Sequence, residues 1–221
     1  MVYEILDIIC KFLALVLVLS VHEFAHAFVA VKFGDPTPKL CNRYTLNPLA
    51  HFDILGLVCF LFAGFGWAKP VPINPNNFKR YKTGCFFTSI AGVLANYLLA
   101  FIAFPLFVLT ILYVPEFGYF TEVLAGTLSY VISFGLVFFV FNLIPVYPLD
   151  GFRVIDVFCK KRGRIYRFLR EKGIYVLYFL ILLSFVADLL NIYYLDVLGM
   201  FISYTSNIVG MPIYLFWGWV F

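Results

Sequence analysis

Charged side chains are scarce in this sequence: Asp, Glu, Lys and Arg make up 13% of its 221 residues. A soluble domain of this size carries roughly 25%. The mean hydropathy is +0.96, and too few polar side chains remain to cover a globule that meets water on every side. The composition therefore excludes an ordinary soluble domain and predicts that lipid solvates much of the surface.

Several motifs of other protein classes are also missing. The five cysteines are scattered without a C-x-x-C pair, which argues against a disulfide framework and a cysteine-ligated zinc site. There is no phosphate-binding loop, and the basic residues form no nucleic-acid-binding face, so no nucleic-acid partner is expected. No Lys or Arg precedes Lys11 and no small-residue cleavage site follows the first apolar run, so we expect this run to be retained rather than removed as a secretory signal.

Long apolar runs divide the chain, and their lengths and flanking charges predict a topology. They lie at residues 12–31, 52–66, 84–114, 123–147, 174–190 and 197–221. A transmembrane helix needs roughly 20 residues, so the second run is too short to cross comfortably. All basic residues except Lys11 follow the first, second and fourth runs, and basic loops stay in the cytoplasm. Because the second run has basic residues on both sides, it is expected to enter the membrane and return.

These patterns predict an all-α polytopic membrane protein with about five to six transmembrane helices and a short membrane-embedded re-entrant loop or edge strand. The glycines and prolines of residues 64–75 break helices, so the loop or edge strand is expected there. We expect one membrane-embedded domain over residues 1–221, with a core at about 12–155 and C-terminal helices at about 156–221.

The first apolar run contains the motif His22-Glu23-Phe24-Ala25-His26. On a helix, side chains four residues apart lie on one face about 6 Å apart, so two imidazoles can chelate one zinc ion while the glutamate beside them acts as a general base. Ionisable residues inside a membrane span are costly and mark functional sites. The alternative is a hydrogen-bonded polar cluster without a metal.

A catalytic zinc site takes three protein ligands and keeps one position for water, so a third ligand is needed. The topology places some acidic residues at the opposite membrane face (Glu116, Glu122, Asp188 and Asp196) and others in basic, solvated connections (Asp35, Asp156 and Glu171). Asp150 remains, and Pro145, Pro148 and Gly151 allow its chain to turn back into the bundle. His51 is the one other histidine, and a structural role and a metal role both stay open for it.

Further motifs accompany these residues: Thr45-Leu46-Asn47-Pro48-Leu49, His51 and Asp53, then Gly66-Trp67-Ala68-Lys69-Pro70-Val71, Gly92, Asn96, and finally Asn142, Pro145, Pro148, Leu149, Asp150 and Gly151. In this combination the chain resembles the site-2 protease family of intramembrane zinc metalloproteases, in its short prokaryotic form. The resemblance runs from His22 to about Arg153, over half of the chain.

The resemblance implies one zinc ion per chain, held by His22, His26 and Asp150, with Glu23 as the catalytic base. It also implies that residues 66–71 present the substrate and that Asn142 lies beside the active site, as a candidate for substrate binding or for stabilising the oxyanion. The chain departs from the family at Val93, where proline is common.

The function expected from this resemblance is an intramembrane zinc metalloendopeptidase that cuts membrane proteins in or near their transmembrane segments, as in regulated intramembrane proteolysis. Its partners would be transmembrane substrates and the lipid bilayer. It would lie in the cell membrane of a prokaryote, with the N-terminus outside and the active site nearer the cytoplasm. The alternative is a membrane metal-ion transporter or metal-binding protein. Asn96, within an apolar run, is open to a role in helix packing or in substrate binding.

Overall fold

A computed structural model describes residues 1–63, 66–114, 118–159 and 162–221. The helices in these ranges are α1 (Val2–Lys32), α2 (Thr37–Leu40), α3 (Ile54–Ala63), α4 (Tyr81–Tyr113), α5 (Tyr119–Asn142), α6 (Asp150–Phe158), α7 (Arg164–Glu171), α8 (Gly173–Leu189) and α9 (Val197–Val220). Some residues used in the predictions lie outside the described ranges, namely Gly64, Phe65, Glu116, Lys160 and Lys161. The predicted all-α membrane architecture is confirmed.

The core of the bundle is formed where α1, α4 and α5 pack against one another, and α9 contributes one buried residue to it. Its buried residues are Ala14, Val18, Ala100, Ala103, Val131, Ile132, Leu136 and Ile213. Several are alanines, which allow helix backbones to approach closely where lipid provides no hydrophobic drive for association. Close packing of small residues therefore fixes how α1 and α4 face each other. The imidazoles of His22 and His26 lie between these two helices.

The two faces of α4 show why this helix belongs in lipid. One face exposes a stripe of large apolar side chains, Leu94, Leu98, Ile102, Leu106 and Leu109. The other face is buried and carries small or polar residues, including Gly92, Asn96 and Ala100. A soluble helix has the reverse pattern, with its apolar face inward, so the exposed stripe indicates a lipid-facing surface.

The number of transmembrane helices is lower than predicted. Among the described residues, α1, α4 and α5 are long and apolar enough to cross a membrane, and a fourth span results if α7 and α8, bent by 53°, count together. The run at 174–190 forms only the 17-residue α8, shorter than the roughly 20 residues that a span requires. α9 is longer, but its polar stretch at 203–207 lowers its hydropathy. Five to six spans was therefore an overestimate.

Residues 66–74, which we name the extended segment, connect the ten-residue α3 to the loop before α4. Ala68 forms an isolated antiparallel bridge with Phe52, and the Lys69 N–H donates to the His51 carbonyl oxygen at 2.8 Å. The part of the predicted loop or edge strand within the described residues is thus extended backbone with a single bridge. It is not a strand of a sheet, because two of its residues are prolines and cannot donate ladder hydrogen bonds.

Asp35 anchors the far end of this segment from the turn after α1. Its carboxylate accepts hydrogen bonds from the Asn74 N–H at 2.7 Å and from the Asn77 side-chain amide at 2.8 Å. The residue is 0% exposed, so the prediction that it lies in a solvated connection was wrong. Burial alone would raise the pKa of Asp35, but hydrogen bonds from Thr37, Asn77 and Asn74 outweigh it and lower the pKa below its ordinary value.

Candidate metal centre

The two histidines of the motif lie one turn apart on α1 and point into the bundle. Their Nε2 atoms are 3.1 Å apart, and both side chains are buried. The rings meet edge to face with centroids 4.7 Å apart. This is the geometry that the four-residue spacing predicts for a helix, and it directs both Nε2 atoms toward one point.

Asp150 reaches the same point from the first turn of α6. One carboxylate oxygen, Oδ2, lies 3.1 Å from His26 Nε2 and 3.3 Å from His22 Nε2. The chain turns sharply between α5 and α6, and a Cβ at Gly151 would overlap the carbonyl group of Leu143, so only glycine fits there. The structure therefore brings together the three residues predicted as ligands, although 124 positions separate His26 from Asp150.

The donor atoms of these residues suit a zinc ion. The His26 Nδ1–H donates to the Thr88 carbonyl oxygen at 2.7 Å, and since that oxygen can only accept, the neutral ring presents a lone pair at Nε2. Tetrahedral zinc with bonds of 2.0–2.1 Å to nitrogen or oxygen separates its ligand atoms by about 3.3 Å. The observed separations of 3.1 to 3.3 Å agree with this value. Among the described residues, His22, His26 and Asp150 form the one cluster of at least three such metal-binding side chains.

Gly92 of α4 provides the space for such an ion. A Cβ at this position would lie closer than 3.0 Å to the Nε2 atoms of both His22 and His26. Any larger residue would therefore occupy the position between the imidazoles. Glycine here leaves a cradle beside the two nitrogens, which supports the fit of a metal ion.

Glu23 faces the extended segment from its place next to the ligands. Its Oε2 accepts a hydrogen bond from the Val71 N–H at 2.9 Å, and its side chain is buried. The extended segment is itself held by Arg43, whose guanidinium donates to the carbonyl oxygens of Ala50 and Lys69. The expected base is thus fixed on the side of the site where the substrate-presenting segment was predicted.

The two other predicted candidates make hydrogen bonds outside the three-ligand cluster. His51 is fully buried in the loop before α3, where its Nε2 interacts with the Thr45 carbonyl oxygen at 2.8 Å, so its observed contact is structural. The Asn142 side chain donates to the Phe138 carbonyl oxygen of its own helix at 3.1 Å. Its role beside the site stays a prediction.

Three residues of α4 meet the imidazoles. Sequence reasoning missed Thr88, named Gly92 as a motif residue without a role, and left the role of Asn96 open. Thr88 and Gly92 have been described, and the Asn96 side-chain amide lies 3.0 Å from His22 Nδ1. Small or polar residues at positions 88, 92 and 96 recur every four residues within an apolar run. This spacing places them on one helix face and was the signal that could have identified them.

A large apolar groove of about 560 Å³ lies away from this centre, between the end of α5, α7, α8 and α9. Neither the two histidines nor Asp150 lines it. Its described walls are apolar except for Thr205, include Phe139, Leu143 and Phe201, and carry no ionisable side chain. We therefore place the functional site at the histidine and aspartate cluster.

The geometry agrees with a comparison to known proteins. Over 145 residues the chain is 46% identical to a Bacillus subtilis (strain 168) protein named "Putative zinc metalloprotease YwhC". This similarity supports a zinc metalloprotease. The match covers 65% of the chain and 66% of the relative, slightly less than two thirds of that protein's length. No protein-family model matches the chain, and no solved structure gives a significant match.

Proposed function

We propose that the protein is an intramembrane zinc metalloendopeptidase of the site-2 protease type. Its substrates would be membrane proteins, cut in or near their transmembrane segments. One observation carries this proposal: the imidazoles of His22 and His26 and the carboxylate of Asp150 converge inside the helix bundle. The two histidines and the adjacent Glu23 lie on α1, which is long and apolar enough to span a membrane. Ionisable groups at such depth are retained for function because they are costly to bury.

His22, His26 and Asp150 would hold the zinc ion. Zinc bound there would supply a Lewis acid that activates water and polarises the scissile carbonyl. Glu23 would take a proton from the attacking water and deliver it to the leaving amide nitrogen. The hydrogen bond from the Val71 N–H supports this role because it fixes the orientation of the Glu23 carboxylate. We also propose, from the resemblance alone, that Asn142 binds substrate or the oxyanion.

A substrate helix must unwind locally before cleavage, because its carbonyl groups are satisfied by internal hydrogen bonds. We propose that the extended segment pairs with the unwound chain, as added strands do in other peptide complexes. Pro70 and Pro72 lack N–H groups and offer only carbonyl oxygens, so they would accept hydrogen bonds from the substrate. The N–H groups of Lys69 and Val71 already donate within the protein.

The decisive experiment compares Glu23→Gln with the parent enzyme in detergent. The variant should keep its zinc but lose roughly 10²- to 10⁴-fold in cleavage of a reporter transmembrane peptide, since it lacks a proton acceptor. Glu4→Gln is the matched control, because this carboxylate lies on the same helix but is exposed and far from the site. Undiminished cleavage by Glu23→Gln would remove the glutamate from the mechanism.

The competing function is metal-ion transport or metal storage in a membrane. Zinc flux into liposomes without any proteolysis by the parent protein would favour that function. We propose further that the protein lies in the cell membrane of a prokaryote with its N-terminus outside and the site nearer the cytoplasm. The exposed basic residues Arg164, Arg167 and Arg170 of α7 support that orientation, since basic loops remain on the cytoplasmic side.

A further inference from the structure

The two imidazoles are supported from behind by α4, but in different ways. His26 is held by a backbone carbonyl oxygen, that of Thr88, which no substitution removes. His22 is held by a side chain, that of Asn96, whose Nδ2 lies 3.0 Å from His22 Nδ1. Asn96 is 0% exposed and touches the ring on the side away from the metal position. The orientation of His22 therefore depends on one replaceable group.

The Asn96 amide is free to present either end to the ring. With Nδ2 toward His22, the buried Oδ1 meets no hydrogen-bond partner among the residues that the structure describes, so no second hydrogen bond fixes the amide in that orientation. The oxygen and nitrogen ends of an asparagine are distinguished by their hydrogen-bond networks alone. A histidine that binds a metal through Nε2 carries its remaining proton on Nδ1, which needs an acceptor.

We propose that Asn96 is a positioning residue for the metal centre: its carbonyl oxygen accepts a hydrogen bond from the His22 Nδ1–H and so keeps Nε2 directed at the metal. This inference rests on the proposed zinc site and adds the group that orients one of its ligands. The two imidazoles would then be supported in the same way: the Thr88 carbonyl oxygen accepts a hydrogen bond from His26, and the Asn96 carbonyl oxygen accepts one from His22. Loss of such a support costs roughly 10- to 100-fold in metal affinity.

Two substitutions that nearly preserve the size of Asn96 distinguish a hydrogen-bonding role from a role in helix packing. Asn96→Asp keeps an acceptor but removes the donor, whereas Asn96→Leu removes both. If the residue accepts from His22, the aspartate variant should hold zinc at least as tightly as the parent protein, because a carboxylate is a strong acceptor. The leucine variant should bind zinc roughly 10- to 100-fold more weakly.

Zinc affinity is measured by competition with a chelator on detergent-purified full-length protein, in a Glu23→Gln background so that cleavage plays no part. Thr110→Val is the matched control: this residue is buried on the same helix, and its hydroxyl donates to the Leu106 carbonyl oxygen of its own helix. The control should leave zinc affinity unchanged. With Co²⁺ in place of zinc, the visible spectrum should change in Asn96→Leu but not in Thr110→Val.

The proposal would be overturned if Asn96→Leu bound zinc as tightly as the parent protein. It would also be overturned if Asn96→Leu and Asn96→Asp lost zinc affinity equally, because that result would mean that the Asn96 amide donates to His22. If the leucine variant does not fold, Asn96→Ala replaces it with the same expectation. His22→Ala tests the underlying site separately. If that variant binds zinc as tightly as the parent, the zinc site itself is wrong, whereas a loss in His22→Ala without one in Asn96→Leu refutes only the role of Asn96.

Discussion

Replacing Gly92 of α4 with alanine tests the metal centre without changing any of the three proposed ligands, which lie on α1 and α6. The added Cβ would lie 2.6 Å from His22 Nε2 and closer still to His26 Nε2, whereas ordinary contact begins at 3.4 Å, so one group must move by at least about 0.8 Å. Metal sites tolerate deviations of only about 0.2 Å in ligand distance. The rings have little freedom to retreat because Asn96 and Thr88 contact them from behind.

Zinc affinity in Gly92→Ala should therefore fall by about 100-fold or more, equivalent to about 2.7 kcal/mol of binding free energy. Helix propensity acts in the opposite direction, since alanine in place of a helical glycine stabilises by roughly 0.5–1 kcal/mol. The variant should thus fold, yet lose the rise in thermal midpoint that added zinc gives the parent protein. A folded variant that gains no thermal stability from zinc has a blocked metal site, whereas an unfolded variant would show no thermal transition.

The assay combines chelator competition with thermal unfolding in the presence and absence of zinc. Gly218→Ala on α9 is the matched control, because a Cβ there meets nothing within 4 Å. It should bind zinc as the parent protein does. Stoichiometric zinc at parent affinity in Gly92→Ala would show that the ion does not bind between the two imidazoles, and the proposed centre would be refuted.

Two further predictions concern the carboxylates. Asp150→Ala should lose zinc content and cleavage together, because it removes one of the three proposed ligands; retained occupancy, measured by elemental analysis, would mean that another group binds the ion. Asp35→Asn should lower the thermal midpoint at pH 7 because it weakens the anchor of the extended segment. The folded-state pKa of Asp35 lies below 3.8, so this stabilisation is present above about pH 4 and disappears as the pH falls through the folded-state value. The difference in midpoint between parent and Asp35→Asn should therefore shrink at pH 3, and a constant difference would contradict it.

Local sequence was enough to predict the features of the site that depend on a single helix. The membrane class follows from composition, and the pairing of His22 with His26 follows from a spacing of four residues on an apolar helix. The number of spans was less accessible, because a run of apolar residues does not reveal where a helix begins and bends. The predicted run at 174–190 forms the 17-residue α8, and a full span results only if α8 counts together with the bent α7.

The sequence by itself determined the apolar setting, the histidine pair and the glutamate between them, because each depends on composition or on neighbours within two turns. Sequence reasoning selected Asp150 by elimination, but only the tertiary structure brings it to the pair. Tertiary structure alone decided that Gly92 leaves room beside the pair and that Asn96 contacts His22 from behind. Those contacts depend on the register of α1 against α4 and on the turn before α6. Side chains packed from several elements set that register, and no local pattern encodes it.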